Sequence, residues 1–268
     1  MLLKRILSAV IALPILFAAV LINVNIFFVA LLIVTGIALY EYFNAVCSSN
    51  IKPMKVIGIS GGLVMVLLLY NSQTRVFAVP YITILTLILL SIPVFSKKYN
   101  FWGAGATIVG ILYISLFFGY LYLIRAIQGI GVYLIWFVFI CSWVTDTSAY
   151  FSGMFFGKNK LAPDISPKKT IEGAIGGVVG SCIVCVLYGV FLNMQNIIDI
   201  PIFSIIIMGI IGSIISQIGD LAASAIKRNV GIKDYGHIMP GHGGVLDRFD
   251  SILFLAPVIY YYIRYVFY

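Results

Sequence analysis

Long apolar runs alternate with short polar segments along the whole chain. Most of these runs approach the ~20 residues that a helix needs to cross the hydrocarbon core of a bilayer. The nine runs cover residues 6–22, 26–46, 56–71, 76–95, 103–124, 130–151, 171–193, 201–223 and 251–267. The pattern therefore predicts an all-α, polytopic integral membrane protein with about nine transmembrane helices, of which the first is an uncleaved helix.

The composition strengthens this prediction. Hydrophobic residues make up 62% of the 268 residues and charged residues only 10%, whereas soluble domains are nearer half apolar and a quarter charged. In a soluble protein, the net charge of +8 would suggest nucleic-acid binding. Because the basic residues lie mainly in short loops here, we predict contacts with anionic headgroups or phosphates and no nucleic-acid partner.

The basic residues also predict the orientation of the chain. With a cytoplasmic N-terminus, only Arg75, Arg125 and Arg264 of the 17 basic residues fall on the opposite side, as the positive-inside rule requires. An eight-helix count would break this alternation. We expect the two longest polar loops, 152–170 and 224–250, to face the cytoplasm. The compact chain, without a long polar tail, favours the plasma membrane of a bacterial cell.

The acidic residues divide the chain unevenly. Glu41 is the only one in the first 140 residues, whereas eight follow in the remainder. We predict a single transmembrane domain over 1–268, in which 129–268 supply the catalytic helices and cytoplasmic loops. The N-terminal helices, 1–128, then scaffold the site, contact lipid or form a dimer contact, and the sequence leaves these three roles open.

Asp220 lies near the end of an apolar run. An ionised carboxylate at the centre of a bilayer costs about 2.5–3.5 kcal/mol on insertion scales, and less near the interface. Asp220, Ser224 and Lys227 are spaced i, i+4 and i+7, which places them on one face of a helix. This polar stripe favours a metal or substrate ligand facing the bundle interior. The alternative is an interfacial residue in contact with water.

The polar segment before the last apolar run carries further candidate chemistry. Its glycines, which include Gly243 and Gly244, allow the backbone to approach a ligand closely. Asp247 and Asp250 are spaced i, i+3 at the start of the last helix, where they can face one way or partly serve as caps. Carboxylates from two helices, such as Asp220 and Asp247, suit Mg²⁺, which binds through one or two carboxylates plus substrate phosphates.

A second basic patch precedes the seventh apolar run. Lys168 and Lys169 lie directly before Thr170, a residue type favoured at helix N-caps, and lysines beside a helix N-terminus suit a phosphate. The alternative is a charged loop that only fixes topology. Asp146, near the end of the sixth run, could complete the polar site or pair with a lysine. His242 could contact substrate or make a loop hydrogen bond.

The polar residues between 224 and 250 resemble the signature of the phosphatidate cytidylyltransferases, which are the CDP-diacylglycerol synthases. The matching positions are Ser224, Ile226, Lys227, Arg228, Lys233, Asp234, Gly236, Pro240, His242, Gly243, Gly244, Val245, Asp247, Arg248 and Asp250. Met239 stands where the family usually has leucine, isoleucine or phenylalanine, a change that conserves size. Residues 145–150 and 166–173 also look like the family, so the motifs cover the second half of the chain.

The resemblance implies a nucleotidyltransferase that converts CTP and phosphatidic acid to CDP-diacylglycerol and pyrophosphate. It implies a requirement for Mg²⁺, with a second cation left open, and a site at the cytoplasmic membrane face. It also implies a homodimer in contact with membrane lipid, working in phospholipid biosynthesis.

Candidate roles follow from the motifs and the resemblance together. The residues assigned to catalysis are Asp220, Asp247, Lys227 and Arg228. The residues assigned to substrate binding are Lys168, Lys169, Thr170, Ser224, Lys233, Asp234, His242, Gly243, Gly244, Arg248 and Asp146. The residues assigned to the metal are Asp220, Asp247 and Asp250.

Three other functions compete with this hypothesis. A CTP-dependent polyprenol-type lipid kinase would transfer the γ-phosphate and release CDP, but the run from His242 to Asp250 argues against it. A CDP-alcohol phosphatidyltransferase is disfavoured because its paired-aspartate pattern on one helix is not found in the sequence. A transporter would suit intramembrane acids, but no inverted repeat was found. Pyrophosphate release that requires both CTP and phosphatidate separates these possibilities.

Overall fold

The computed structural model describes residues 2–238 and 243–267, with side chains from residue 10 onward except at residue 11. The helices are α1 (Leu2–Ile22), α2 (Val24–Cys47), α3 (Lys55–Tyr70), α4 (Ala78–Phe95), α5 (Phe101–Gly110), α6 (Phe117–Arg125), α7 (Gly131–Phe156), α8 (Ile171–Met194), α9 (Ile202–Asn229) and α10 (Leu246–Tyr262). A 3-10 turn precedes α4, and π-helical segments follow α5 and α10; these are Arg75–Phe77, Ile111–Leu116 and Ile263–Phe267. Two short strands, β1 (Lys160–Ala162) and β2 (Ser166–Thr170), complete the elements.

Six helical segments among the described residues are long and apolar enough to cross a membrane. They are Val24–Cys47, Arg75–Phe95, Phe101–Arg125, Gly131–Phe156, Ile171–Met194 and Ile202–Asn229. Shorter apolar helices cover Ala12–Ile22 and Lys55–Tyr70. The predicted all-α membrane class is confirmed, while the count of nine crossings stays a prediction.

Two helices and one hairpin differ from what the apolar runs predicted. Helices α7 and α9 continue to Phe156 and Asn229, past runs that end at 151 and 223. The continuation of α9 is partly polar, but its alanine, lysine and arginine are good helix formers, so the helix extends beyond the apolar run. Between α7 and α8, β1 and β2 form an antiparallel hairpin with Lys160 opposite Thr170, an element that the sequence did not predict.

The helices form two compact units. Unit 1 contains the chain up to Leu123 together with Ile226–Phe249. Unit 2 contains Ile124–Ala225 together with the chain from Asp250 onward. Each unit therefore combines segments that are distant in sequence.

Glycines let the helices of unit 1 approach closely. A side-chain carbon at Gly58 would overlap the ring of Phe43, and one at Gly62 would overlap Ser115 and Leu39. Because Phe43 and Leu39 lie on α2, the missing side chains let side chains of α2 pack directly against the backbone of α3. Helix α2 is thereby held tightly within unit 1, which matters because it carries the acidic residue of the N-terminal half.

Small residues form the buried face of α8 in unit 2. Positions spaced every four residues share one face of a helix, and the buried ones are Gly173, Gly177, Ser181, Cys185 and Gly189. Small residues on such a face drive the close association of helices in membranes. The stripe holds α8 against α7 and α9, and it fixes the N-terminal end of α8 beside the hairpin.

We expect Gly176→Ala to destabilise the contact between α7 and α8. A methyl group there would overlap both Oγ and Cβ of Ser152, so a change of the serine rotamer cannot relieve it. The free energy of unfolding should fall by about 1–3 kcal/mol, measured as a lower Tm in detergent. The matched control is Gly105→Ala on α5, where a methyl group meets open space. Equal melting temperatures for the two variants would contradict the packing.

Candidate active site

Asp247 is a buried carboxylate at the start of α10, 7% exposed. Its Oδ1 accepts a hydrogen bond from Nζ of Lys227 at 2.8 Å. Its Oδ2 accepts from the backbone amides of Tyr235 at 2.8 Å and Gly244 at 2.9 Å. Lys227 is itself 9% exposed, and its ammonium lies 5.4 Å from the centre of the Tyr235 ring. The carboxylate therefore joins the end of α9, the loop and the start of α10 in unit 1.

A second buried carboxylate, that of Glu41 on α2, holds the same loop. Glu41 is 3% exposed, and it accepts hydrogen bonds from the amides of Val245 at 3.0 Å and Leu246 at 2.9 Å. These amides are among the first of α10, where N–H groups have no partner within the helix. An anionic side chain also interacts favourably with the positive end of the helix dipole. Glu41 thus caps α10 from a distant part of the chain.

The glycines of the loop are explained by these carboxylates. Gly243 has φ of +83°, a left-handed conformation that glycine adopts at little cost. A side-chain carbon there would lie 3.0 Å from Oδ2 of Asp247. A carbon at Gly244 would lie 2.5 Å from Oε2 of Glu41. Both positions need glycine because backbone and carboxylates approach so closely.

The other predicted residues of unit 1 lie at its surface. The exposed ones are Arg228, Lys233, Asp234 and Arg248. The guanidinium of Arg228 donates to the carbonyl of Ile232 at 3.3 Å. His242 lies outside the described residues, so its predicted substrate contact stays a prediction.

Unit 2 brings Lys169 and Asp220 into an ion pair between the ammonium and Oδ2. Both side chains are partly exposed, at 27% and 28%. Lys169 lines a cavity of about 330 Å³ together with Lys168, Thr170 and Asp146. Two lysines and two acidic side chains therefore surround or adjoin one concave surface large enough for a phosphate-bearing group. The sequence selected all of these residues but did not predict that Lys169 pairs with Asp220.

The hairpin positions Lys168 and Lys169, which lie on β2 directly before α8. Thr170 ends β2 and caps α8, since its Oγ1 accepts from the amide of Gly173 at 3.1 Å, as predicted. Glu172, in the first turn of α8, accepts from the amides of Lys158 at 3.1 Å and Asn159 at 3.2 Å. The carboxylate thereby ties the entry of the hairpin to the helix. This arrangement fixes β2 beside the N-terminal end of α8.

Two further candidates lie in unit 2. Ser224 is half-buried on α9, one turn after Asp220. Asp250 is buried, and its Oδ1 accepts from the amide of Ser251 at 2.8 Å and from its hydroxyl at 3.2 Å. The roles predicted for both residues stay predictions.

Sequence reasoning did not select two polar residues that the structure places at these sites. Gln217 lines the cavity of unit 2, and its amide donates to the carbonyl of Ala174 at 3.2 Å. It stands three residues before Asp220, a spacing that puts both on one helix face. Glu41 carried a stronger signal, because an acid inside an apolar membrane helix marks a functional position.

The carboxylates differ in their fitness for Mg²⁺. Among the described residues, no three His, Cys, Asp or Glu side chains converge on one point. Mg²⁺ does not require such a cluster, because it uses one or two carboxylates plus waters and substrate phosphates. Asp220 fits this mode, since it is partly exposed and pairs with a lysine that lines the cavity. Asp247 already accepts three hydrogen bonds, so only Oδ1 retains capacity for a ligand.

Comparison with known proteins covers nearly the whole chain. The model of the cytidylyltransferase family matches residues 3–266. A phosphatidate cytidylyltransferase of Staphylococcus saprophyticus is 38% identical over 228 residues, which are 83% of this chain and 84% of the relative. That of Staphylococcus haemolyticus is 36% identical over 260 residues, 95% and 96% of the two chains. That of Bacillus subtilis is 32% identical over 265 residues, 96% of each.

The match to the family model spans both units and every candidate residue, and these relatives align over most of their own length. The resemblance seen in the sequence motifs is thereby confirmed. The chain belongs to the cytidylyltransferase family.

Proposed function

We propose that the protein transfers the cytidylyl group of CTP to phosphatidic acid, giving CDP-diacylglycerol and pyrophosphate. The relatives named phosphatidate cytidylyltransferase support this activity. The observation that carries the proposal is the lysine-lined cavity of unit 2 with its Lys169–Asp220 pair. Such a site binds phosphates by charge and presents a carboxylate beside them.

The chemistry requires positioning more than proton transfer. An oxygen of the phosphatidate phosphate, already ionised at neutral pH, attacks the α-phosphorus of CTP. The bond from the α-phosphorus to the oxygen bridging to the β-phosphorus breaks, and pyrophosphate leaves with that oxygen. No strong general base is needed. Lys168 and Lys169 would neutralise phosphate charge at the N-terminal end of α8, where the helix dipole also favours anions.

The side chains at the candidate site are also suited to binding a divalent cation. Asp220 would hold Mg²⁺ together with substrate phosphates. Asp247 and Asp250 stay predicted metal ligands, and a second cation is left open. The ion would supply Lewis-acid stabilisation of the charge on the phosphates. The protein side chains would orient the two substrates against each other.

We place this enzyme in a bacterial plasma membrane, as a homodimer in contact with lipid and with its site on the cytoplasmic face. The bacterial relatives and the apolar helices support the bacterial membrane, and the bias of the basic residues supports the cytoplasmic face. The homodimer is what the family resemblance implies. A membrane-impermeant amine reagent should label the hairpin lysines in inside-out vesicles and spare them in right-side-out vesicles. Labelling only in right-side-out vesicles would contradict the orientation. Native mass spectrometry would test the dimer.

Lys169→Gln should lower turnover by about 10²-fold, because it removes a fixed positive charge from the site. The variant keeps the length of most of the side chain, and the surface ion pair contributes only about 0–1 kcal/mol to stability. The matched control is Lys160→Gln, which removes an exposed charge from the other strand of the same hairpin. Steady-state turnover of both purified variants tests this prediction. Equal rates would show that Lys169 is not part of the site.

Pyrophosphate release by the purified protein in detergent tests the proposed function. Release should require CTP, phosphatidic acid and Mg²⁺ together. Formation of CDP and a phosphorylated lipid would instead indicate a lipid kinase. If folded protein releases neither pyrophosphate nor CDP, the result would favour the transporter hypothesis.

A further inference from the structure

Glu41 fits the loop before α10 in shape as well as in hydrogen bonding. Both of its oxygens accept backbone amides of the loop. A side-chain carbon at Gly236 would overlap Oε1 of Glu41, and one at Gly244 would lie within 2.5 Å of Oε2. The carboxylate is therefore enclosed by two glycines and anchored to two amides. Shifting the loop would break these bonds or create an overlap.

This arrangement fixes the residue that follows. The amides of Val245 and Leu246 directly precede Asp247, and Oδ2 of Asp247 accepts from the amide of Gly244. Two buried carboxylates thus hold consecutive peptide groups of one short stretch. The position of the Asp247 carboxylate depends on where Glu41 places the first turn of α10.

A helix cap alone does not account for Glu41. The usual cap is a local serine, threonine, asparagine or aspartate at the N-cap, whose side chain accepts a hydrogen bond from an amide of the first turn. The chain instead uses a carboxylate from 204 residues away, buried in an apolar helix, where an acid is costly. Such a costly residue is expected where geometry matters for function rather than only for stability.

We propose that Glu41 is a positioning residue of the reaction: it acts through the loop and Asp247, and it gives the N-terminal helices a direct part in the site. The inference rests on the proposed function. Glu41 touches neither substrate in this scheme. Its role is to hold the first turn of α10 where Asp247 and the loop glycines must lie.

The first test is Glu41→Gln, which keeps the shape but replaces one acceptor oxygen by a donor. One of the two amides then faces an N–H group. We expect kcat to fall by about 10- to 100-fold, in line with loss of a hydrogen bond to a charged group. Hydrogen–deuterium exchange should rise in the peptide that contains Val245 and Leu246, and stay unchanged in α8. The control is Thr35→Val on the same helix. Thr35 is buried, and its hydroxyl donates to the carbonyl of Leu31, its one hydrogen bond among the described residues.

A second pair of variants keeps the proposal testable if Glu41→Gln does not fold. Gly236→Ala should lower kcat because its methyl group displaces the carboxylate. Adding Glu41→Asp to Gly236→Ala should raise kcat again by at least about threefold, since the shorter side chain makes room while keeping two acceptor oxygens. A purely structural cap predicts changes in Tm but an unchanged kcat of the folded protein in both variants. A kcat that Glu41→Asp does not raise in the Gly236→Ala background would also overturn the proposal.

The outcomes separate the two proposals. If the parent protein releases no pyrophosphate, the proposed function fails, whatever the variants do. If the parent is active and Glu41→Gln keeps its kcat within about twofold with unchanged exchange, the positioning role fails while the function stands. The exchange measurement needs no activity, so it reports on the loop in either case.

Discussion

Asp247→Ala is expected to lower turnover by about 10²–10³-fold and also to reduce the Tm of the purified protein. The expected loss of turnover rests on the proposed role of Asp247 as a ligand of the metal or of substrate phosphate, whose charge the substitution removes. The loss of stability follows from burial, because the ammonium of Lys227 would remain in the interior without the carboxylate that balances it. Removing one partner of a buried ion pair typically costs about 3–5 kcal/mol. Thermal unfolding and pyrophosphate release of the same sample measure both effects.

A compensating variant separates chemistry from stability at this position. In Lys227→Met/Asp247→Asn, the buried cation is gone, and the asparagine carbonyl can still accept from the amides of Tyr235 and Gly244. We expect the double variant to recover most of the Tm lost by Asp247→Ala and none of the turnover. Turnover near the parent level would contradict a catalytic role for both residues.

Asp220→Asn is expected to lower turnover by about 10²-fold with little change in Tm. The structural reason is exposure: Asp220 and its partner Lys169 are both more than a quarter exposed. Partly exposed ion pairs contribute only about 0–1 kcal/mol to stability. The variant keeps the volume and the capacity to accept one hydrogen bond, so the change isolates the charge.

The matched control for this substitution is Asp164→Asn. Asp164 is an exposed carboxylate in the hairpin of the same unit, and its loss should leave turnover and Tm unchanged. If Asp220→Asn and the control turn over at equal rates, Asp220 is not part of the site. The carboxylate that best fits Mg²⁺ would then be excluded as a ligand. A large drop in Tm for Asp220→Asn would instead show that the pair is structural.

The helices could be predicted from sequence because one physical constraint determines them. A segment within the bilayer must satisfy its own backbone hydrogen bonds, so a long apolar run implies a helix. The hairpin between Lys160 and Thr170 could not be predicted this way. It is short and polar, and it depends on Glu172 accepting amides from 13 and 14 residues before it, which no periodic pattern reports.

The residues of the candidate site were selected from the sequence, whereas their pairings could be predicted only in part. The spacing of Asp220 and Lys227 indicated one polar stripe on α9, and each residue does have an oppositely charged partner. Those partners, Lys169 and Asp247, come from other segments, and helical spacing carries no information about them. Glu41 stands out in the sequence as the only acidic residue among the first 140. Its contact with α10 depends on how unit 1 folds and could not be predicted.

In the proposed reaction, the α-phosphate of CTP becomes joined to the phosphate of phosphatidic acid. The most direct measurement incubates the purified protein with phosphatidic acid, Mg²⁺ and CTP labelled at either the α- or the γ-phosphate, then extracts the lipid. We expect the α-label to enter the lipid fraction and the γ-label to leave as pyrophosphate. Appearance of the γ-label in the lipid, with the α-label in soluble CDP, would contradict the proposed reaction.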